Sequence, residues 1–147
     1  MNTILLQILD SMCILLAKSE QKHFSYTKKM LDQSGLEISP GQLVVLYSLF
    51  TKDNISISEL SKNVLLDNST LTGLIDRLEK AGFVMRIDTP NDRRSYQIIL
   101  TEKAKSHKST ILQLMKQIES KMLEGSSEAE IFMFRSILQR ILINFNS

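Results

Sequence analysis

The spacing of apolar residues changes from helical to strand-like in the middle of this chain, and that change limits the folds that it can adopt. Over residues 71–78 the apolar positions recur at helical spacing. Soon afterwards, residues 84–87 and 96–100 alternate in the way that short strands do. Residues 89–95 connect the two and carry proline, asparagine and aspartate, which favour tight turns. The sequence therefore predicts a β-hairpin directly after a helix.

Two helix starts precede this region. Ser39 stands three residues before Gln42, and Pro40 fits the first position of a helix, so a capping-box start is predicted there. Ser56 stands three residues before Glu59 and predicts the start of a shorter helix. The residues predicted to face the core of these helices are Leu43, Leu46, Leu49, Phe50, Leu60 and Val64.

A third helix follows at once and carries the apolar positions of 71–78. Asp67 or Asn68 can cap its start, and Gly82 marks its end. Two helices joined by a tight turn, the second of them polar on its outer face, are typical of a helix-turn-helix. The hairpin then adds the wing of a winged helix.

Long helices are predicted at both ends of the chain. The first runs from about residue 4 to 33, up to Ser34 and Gly35, and its 4–16 segment is strongly apolar. Thr101 can cap a helix over about 102–123, and a last helix covers about 128–145. Helices this apolar favour burial against a second subunit. Their predicted inward residues are Ala104, Ile111, Met115, Ile118, Met122, Ile131, Phe134, Leu138, Ile141 and Phe145.

Composition indicates one folded domain over residues 1–147, with 43% hydrophobic and 23% charged residues. A single cysteine cannot form an internal disulfide, which favours the cytoplasm. The N-terminus lacks the basic region and cleavage site of a signal peptide, and polar residues interrupt it before it could span a membrane. Net charge is only +2, but residues 93–108 hold five basic side chains against one acid.

Residues 92–101, DRRSYQIILT, match the wing pattern D-x-R-S-x-x-I-x-L-T of the MarR family of bacterial transcription regulators. Residues 66–84, LDNSTLTGLIDRLEKAGFV, and 38–46, ISPGQLVVL, support the match. The chain thus resembles that family over nearly its whole length. The resemblance implies a mainly α fold with a small β-hairpin wing: a winged helix-turn-helix over 38–100, flanked by N- and C-terminal dimerisation helices over 1–36 and 102–147.

The resemblance also implies a homodimer that binds double-stranded promoter or operator DNA at a pseudo-palindromic site. The recognition helix then enters the major groove and the wing the minor groove. Asp92 resembles the family acid that orients Arg94 by a salt bridge, and Gly73 stands where a larger or basic residue is common. The candidate DNA-binding residues are Ser69, Thr70, Thr72, Arg77, Arg86, Asp92, Arg93 and Arg94. Arg77, Arg86 and Arg93 are interpreted as phosphate contacts.

Many members of the family release DNA when a small phenolic compound binds or when a cysteine is oxidised. Cys13 lies near the position of the reactive cysteine in hydroperoxide-sensing members, but its apolar neighbours favour packing in the core over redox sensing. His23 and His107 are the only histidines and lack metal-ligand spacing, so no metal site is expected. We also expect no cofactor and no catalytic residue, because no nucleophile motif or phosphate loop occurs.

Two functions therefore compete. The first is a sequence-specific, dimeric transcription regulator, a repressor released by a small apolar ligand or by oxidation. The alternative is a winged-helix protein-interaction module that does not bind DNA. Arg86, Arg93 and Arg94 on one hairpin favour the first function, because an interaction module has no need of that charge.

Overall fold

A computed structural model describes residues 7–89 and 92–146, without the side chains of Arg93 and Arg94. Its helices are α1 Met12–Ser34, α2 Pro40–Thr51, α3 Ile57–Val64, α4 Asn68–Lys80, α5 Glu102–Met122 and α6 Glu128–Asn144. Its strands are β1 Ile55–Ser56, β2 Val84–Thr89 and β3 Asp92–Leu100. The predicted order of helices, helix-turn-helix, hairpin and helices is confirmed.

The first predicted helix is not continuous. Residues 7–9 are helical, but the helix is interrupted at residues 10 and 11, and α1 begins at Met12. Ser11 is the reason, because its hydroxyl accepts a hydrogen bond from the main-chain N–H of Ile14 and so caps a new helix. The predicted start near residue 4 lies outside the described residues. The predicted end is confirmed, since Gly35 takes a left-handed conformation with φ of 75°.

Short polar side chains start the other helices as predicted. Ser39 and Gln42 form both hydrogen bonds of a capping box at the start of α2. Ser56 accepts from the N–H of Glu59, and Thr101 accepts from the N–H of Ala104. Each cap satisfies a main-chain donor that the helix itself leaves free, so each start is fixed locally.

The strands form one antiparallel sheet in the order β1-β3-β2. Val84 pairs with Leu100 and Arg86 with Ile98, and an irregularity follows Asp88. Strand β2 continues past the predicted residue 87 to Thr89, and β3 begins before the predicted residue 96, at Asp92. Pairing continues there through Asp88 with Tyr96 and Thr89 with Asp92, and these polar positions show no apolar alternation. Strand β1 was not predicted at all, since two residues are too few to show a period. Residues 90 and 91, the predicted turn, lie outside the described residues.

A single core lies beneath the winged helix and reaches into α5. It includes the four predicted inward positions of α4, namely Leu71, Leu74, Ile75 and Leu78. In α5 the buried residues are Ala104, Ile111, Leu114 and Ile118. The prediction that Met122 faces this core was wrong, since about half of that side chain is exposed.

Helix α6 buries no residue against its own chain. Ile131, Leu138 and Ile141 of the predicted stripe are half-buried, while Phe134 and Phe145 are exposed. A contiguous apolar surface is unusual on a monomer and commonly marks an interface. Helix α6 and the segment up to Leu16 therefore leave a large apolar surface without cover in a single chain. Its exposed members are Ile8, Leu9, Met12, Leu15, Leu16, Phe132, Met133, Phe134, Ile137, Leu142, Ile143 and Phe145.

Candidate nucleic-acid interface

Helices α3 and α4 are joined by a turn of three residues, 65–67. Leu65 adopts a left-handed conformation with φ of 56°, which is uncommon for a residue other than glycine. Ser61 holds this turn by donating a hydrogen bond from its hydroxyl to the carbonyl oxygen of Leu66 at 2.6 Å. The turn packs the apolar side of α4 into the core and leaves its other side exposed.

The start of α4 gathers three hydrogen-bond donors around one carboxylate. Asp67 accepts hydrogen bonds from the main-chain N–H of Thr70 at 2.8 Å and from the hydroxyls of Ser69 and Thr70 at 2.8 and 2.9 Å. These bonds, with the main-chain N–H of Thr70 first, lower the pKa of Asp67 to about 2. The two hydroxyls therefore use their protons within the protein and present oxygen lone pairs outward. Sequence reasoning identified Asp67 only as one of two candidate caps and did not predict this arrangement.

The rest of the exposed face of α4 carries the other predicted residues. Thr72 donates its hydroxyl proton to the carbonyl oxygen of Asn68 at 2.7 Å, and Arg77 is exposed one turn further on. A Cβ atom added at Gly73 would meet no atom within 4 Å, so the helix surface at this position is open. The structure thus brings Ser69, Thr70, Thr72 and Arg77 together on one exposed helix face.

Arg86, on β2, holds the wing against this helix. Its guanidinium donates to the carboxylate of Asp76 and, at 2.9 Å, to Oε1 of Glu79, while its main-chain N–H donates to Oε2 of Glu79. Burial acts to lower the pKa of Arg86, but the hydrogen bond and charge of Asp76 and the charge of Glu79 outweigh it and raise the pKa. The arginine therefore neutralises two carboxylates on the helix that is predicted to approach DNA.

Replacing Arg86 by glutamine should consequently lower both DNA affinity and stability. The ion pairs are half exposed, so we expect the free energy of unfolding to fall by about 1 kcal/mol and the melting temperature by about 2–4 °C. Arg77→Gln is the matched control, because Arg77 is an exposed arginine of α4, and its replacement should affect DNA affinity alone. Thermal unfolding and fluorescence anisotropy measure the two effects. An unchanged melting temperature in Arg86→Gln would show that Arg86 does not brace the wing.

The base of the wing is fixed by contacts between distant parts of the chain. Asp53 accepts a hydrogen bond from the main-chain N–H of Leu100 at 2.9 Å, and Thr101 donates its hydroxyl proton to the carbonyl oxygen of Gly82. Lys103, one of the predicted basic patch, donates to the carbonyl oxygen of Ala81 and lies 4.8 Å from the centre of the Phe83 ring. Part of the basic patch is therefore engaged in holding the structure together.

The hairpin projects from this base, with Asp92 exposed at the first position of β3 and opposite Thr89. Arg93 and Arg94 follow on the same strand, and the predicted roles of their side chains lie outside the described residues. The Asp92–Arg94 salt bridge therefore stays a prediction.

Cys13 lies on an exposed part of α1 and is not buried within its own chain. Met12, Leu15 and Leu16 around it are exposed as well, because this segment belongs to the uncovered apolar surface. Among the described residues, no group of three or more His, Cys, Asp or Glu side chains could hold a metal ion. In the same part of the chain, no helix is both long and apolar enough to cross a membrane.

The fold and this exposed helix-and-wing surface define a winged helix-turn-helix protein of the DNA-binding type. The MarR family model matches residues 38–96. The chain is 31% identical to the uncharacterized HTH-type transcriptional regulator YfiV of Bacillus subtilis, covering 88% of this chain and 89% of that protein. It is also 31% identical to the HTH-type transcriptional regulator SarZ of Staphylococcus haemolyticus, over 74% and 73% of the two chains.

Among solved structures, a mutant MarR from E. coli complexed with operator DNA superposes with a TM-score of 0.82 at 26% identity, covering 92% of this chain and 96% of that one. The chain belongs to the MarR family. It is a winged helix-turn-helix transcription regulator and not an enzyme. Nothing in these comparisons supports the alternative of an interaction module without DNA binding.

Proposed function

We propose that this protein is a homodimeric repressor that binds a pseudo-palindromic operator in the cytoplasm and leaves it when a small molecule binds. The observation that carries the proposal is the exposed face of α4 beside the wing, which presents three hydroxyls and an arginine without apolar cover. Residues 38–100 serve as the DNA-binding part, and residues 1–36 and 102–147 as the dimerisation part.

Within this proposal, the start of α4 enters the major groove. Hydroxyl oxygens of Ser69 and Thr70 can accept hydrogen bonds from base amino groups, because their own protons are held by Asp67. Arg77 and Arg93 contact phosphates, which position the helix without reading sequence. Arg94 enters the minor groove, where the negative potential is concentrated. Arg86 contributes through Asp76 and Glu79 as well as through its own charge.

Selection of binding sequences from a random duplex library tests the proposal. We expect enrichment of an inverted repeat whose half-sites lie about one helical turn apart, because a two-fold dimer presents two recognition helices. Recovery of no sequence above the starting frequency would contradict operator binding. Recovery of single, unpaired half-sites would contradict the dimeric arrangement.

Release by a ligand is favoured over release by oxidation, because a cavity of about 400 Å³ lies between α1, α2 and α5. Cys13 lies within the surface that the partner subunit covers in a dimer, which limits access of an oxidant to its thiol.

We therefore expect hydrogen peroxide to leave the DNA affinity of the wild type unchanged within about twofold, as in Cys13→Ser. Anisotropy titrations before and after treatment measure this, with dithiothreitol reversal as the control. A loss of affinity in the wild type that is absent in Cys13→Ser would instead assign release to the thiol.

A further inference from the structure

Gly73 lies inside α4, where glycine is an unfavourable residue. Glycine lowers the stability of a helix relative to alanine, because it loses more main-chain freedom on folding and adds no side-chain contact. A glycine inside a helix therefore usually has a structural reason. Either the main chain needs a left-handed conformation, or a neighbouring group leaves no space for a Cβ atom.

Neither reason applies to Gly73. Its main chain is helical and does not take the positive φ of three other glycines in the chain. In the part of the chain that the structure describes, an added Cβ at Gly73 would meet nothing within 4 Å. Gly41 on α2 shows the contrast, because a Cβ added there would lie 3.1 Å from Cδ2 of Leu74. Packing within the chain therefore accounts for Gly41 and leaves Gly73 unexplained.

Gly73 lies on the face of α4 that is proposed to enter the major groove. It follows Ser69 by four residues and Thr70 by three, and these spacings place residues on one side of a helix. Arg77 follows after four more residues and is exposed. The helix surface between the two hydroxyls and this arginine is therefore bare main chain, which we call the Gly73 opening. A base edge can approach it more closely than it could approach a side chain.

The residues around the Gly73 opening favour an A·T base pair there. Residues 69–76, STLTGLID, include no arginine, lysine, asparagine or glutamine, which are the side chains that commonly read guanine or adenine in a bidentate way. The hydroxyl protons of Ser69 and Thr70 are donated to Asp67, so their oxygens are left to accept from a base amino group. In the major groove, an A·T pair presents both the amino group of adenine and the 5-methyl group of thymine.

We propose that the Gly73 opening receives the 5-methyl group of one thymine in each operator half-site, which makes Gly73 a specificity-determining residue. The methyl group leaves water when it enters the opening, and this burial stabilises the complex. A Cβ atom at position 73 would stand where the methyl group has to lie. The inference rests on the proposed function, because it names one base that α4 reads in the operator.

Replacement of each thymine of the selected operator by uracil tests the inference, because uracil differs from thymine only by the missing methyl group. The replacement is made in both half-sites, and fluorescence anisotropy measures the affinity of the full-length dimer. We expect one position at which uracil weakens wild-type binding ~10-fold or more, since one buried methyl group contributes ~4-fold in each half-site.

Gly73→Ala should remove this preference. We expect the variant to bind the thymine operator at least ~10-fold more weakly than the wild type does, because the added Cβ overpacks the contact. At the position found in the wild type, the variant should bind the uracil duplex at least as tightly as the thymine duplex. Such coupling between one methyl group and one residue is not expected from a purely structural role of Gly73.

Thermal unfolding separates this effect from a loss of folding. Gly73→Ala should raise the melting temperature by about 2–4 °C, because alanine favours the helix. Thr110→Ala is the matched control, since it also improves helix propensity at an exposed position, on α5. It should leave both the DNA affinity and the preference for thymine unchanged.

Four results would each overturn the inference. They are a uracil scan without effect at any position, full operator affinity in Gly73→Ala, a loss in that variant of equal size for thymine and uracil duplexes, and a lower melting temperature of the variant. The last would show that the fold itself requires glycine at this position. Failure to select any operator would overturn the proposed function and this inference with it, whereas the four results above leave the proposed function standing.

Discussion

Replacing Met133 and Ile137 together by glutamate will separate the dimer into folded monomers that no longer hold the operator. Both side chains are exposed in the single chain, at 60% and 46%, and lie one turn apart on the same side of α6. Burying an unpaired carboxylate in an apolar interface costs several kcal/mol. Two such groups should weaken self-association at least ~1,000-fold. Sedimentation equilibrium measures the dissociation constant directly.

The double variant should also bind DNA more weakly, because a monomer engages only one half-site. It loses the increase in affinity that comes from two linked recognition helices binding two half-sites together. That gain is commonly ~100-fold or more. Gln139→Glu, which adds one carboxylate at an already polar and exposed position of α6, is the matched control and should remain dimeric. The monomer should keep its helical circular dichroism, since α6 contributes no residue to the core. A double variant that stays dimeric would show that α6 does not form the interface.

Arg94→Ala will weaken operator binding by roughly tenfold to more than a hundredfold, because an arginine that contacts DNA contributes ~1–3 kcal/mol. Arg94 stands outside every apolar stripe of the sequence, so the free energy of unfolding should change by no more than about 0.5 kcal/mol. Lys116→Ala removes the same charge from an exposed position on α5 and controls for net charge. An unchanged affinity for the selected operator in Arg94→Ala would contradict the minor-groove role.

Asp92→Ala, in the same hairpin, tests whether removal of the acid raises or lowers DNA affinity. Electrostatics alone predicts tighter binding, because a negative charge near phosphates is removed. If Asp92 orients Arg94, its removal should weaken DNA binding, because the arginine side chain is no longer held in one geometry. The loss should be smaller than in Arg94→Ala. We expect weaker binding. Tighter binding would show that the hairpin tip acts only as a charged patch.

Helix starts could be predicted from the sequence because each depends on a contact between near neighbours. Ser39, Ser56 and Thr101 each bond a main-chain N–H three residues further along, so residue type and spacing suffice. The buried positions of α4 followed from periodicity for the same reason. The break at Ser11 was not predicted because apolar residues resume at Met12, so Asp10 and Ser11 were interpreted as polar positions within one helix.

Contacts between distant elements could not be predicted in this way. Arg86 meets Asp76 and Glu79 only because β2 folds back along α4, and no local pattern encodes that approach. The cavity depends on the meeting of three helices, α1, α2 and α5. Exposure of α6 was foreseeable only in part, since an apolar stripe does not tell whether its cover comes from the same chain or from a partner.

The most direct test of the account is a titration of the selected operator and of a scrambled duplex with the wild-type protein over a series of salt concentrations. We expect one dimer per operator duplex, and affinity for the operator ~1,000-fold or more above that for the scrambled duplex. With roughly six phosphate contacts from two subunits, log affinity should fall with log salt at a slope of about −5. Equal affinity for both duplexes, or a slope near zero, would contradict the assignment of this helix-and-wing surface to specific DNA binding.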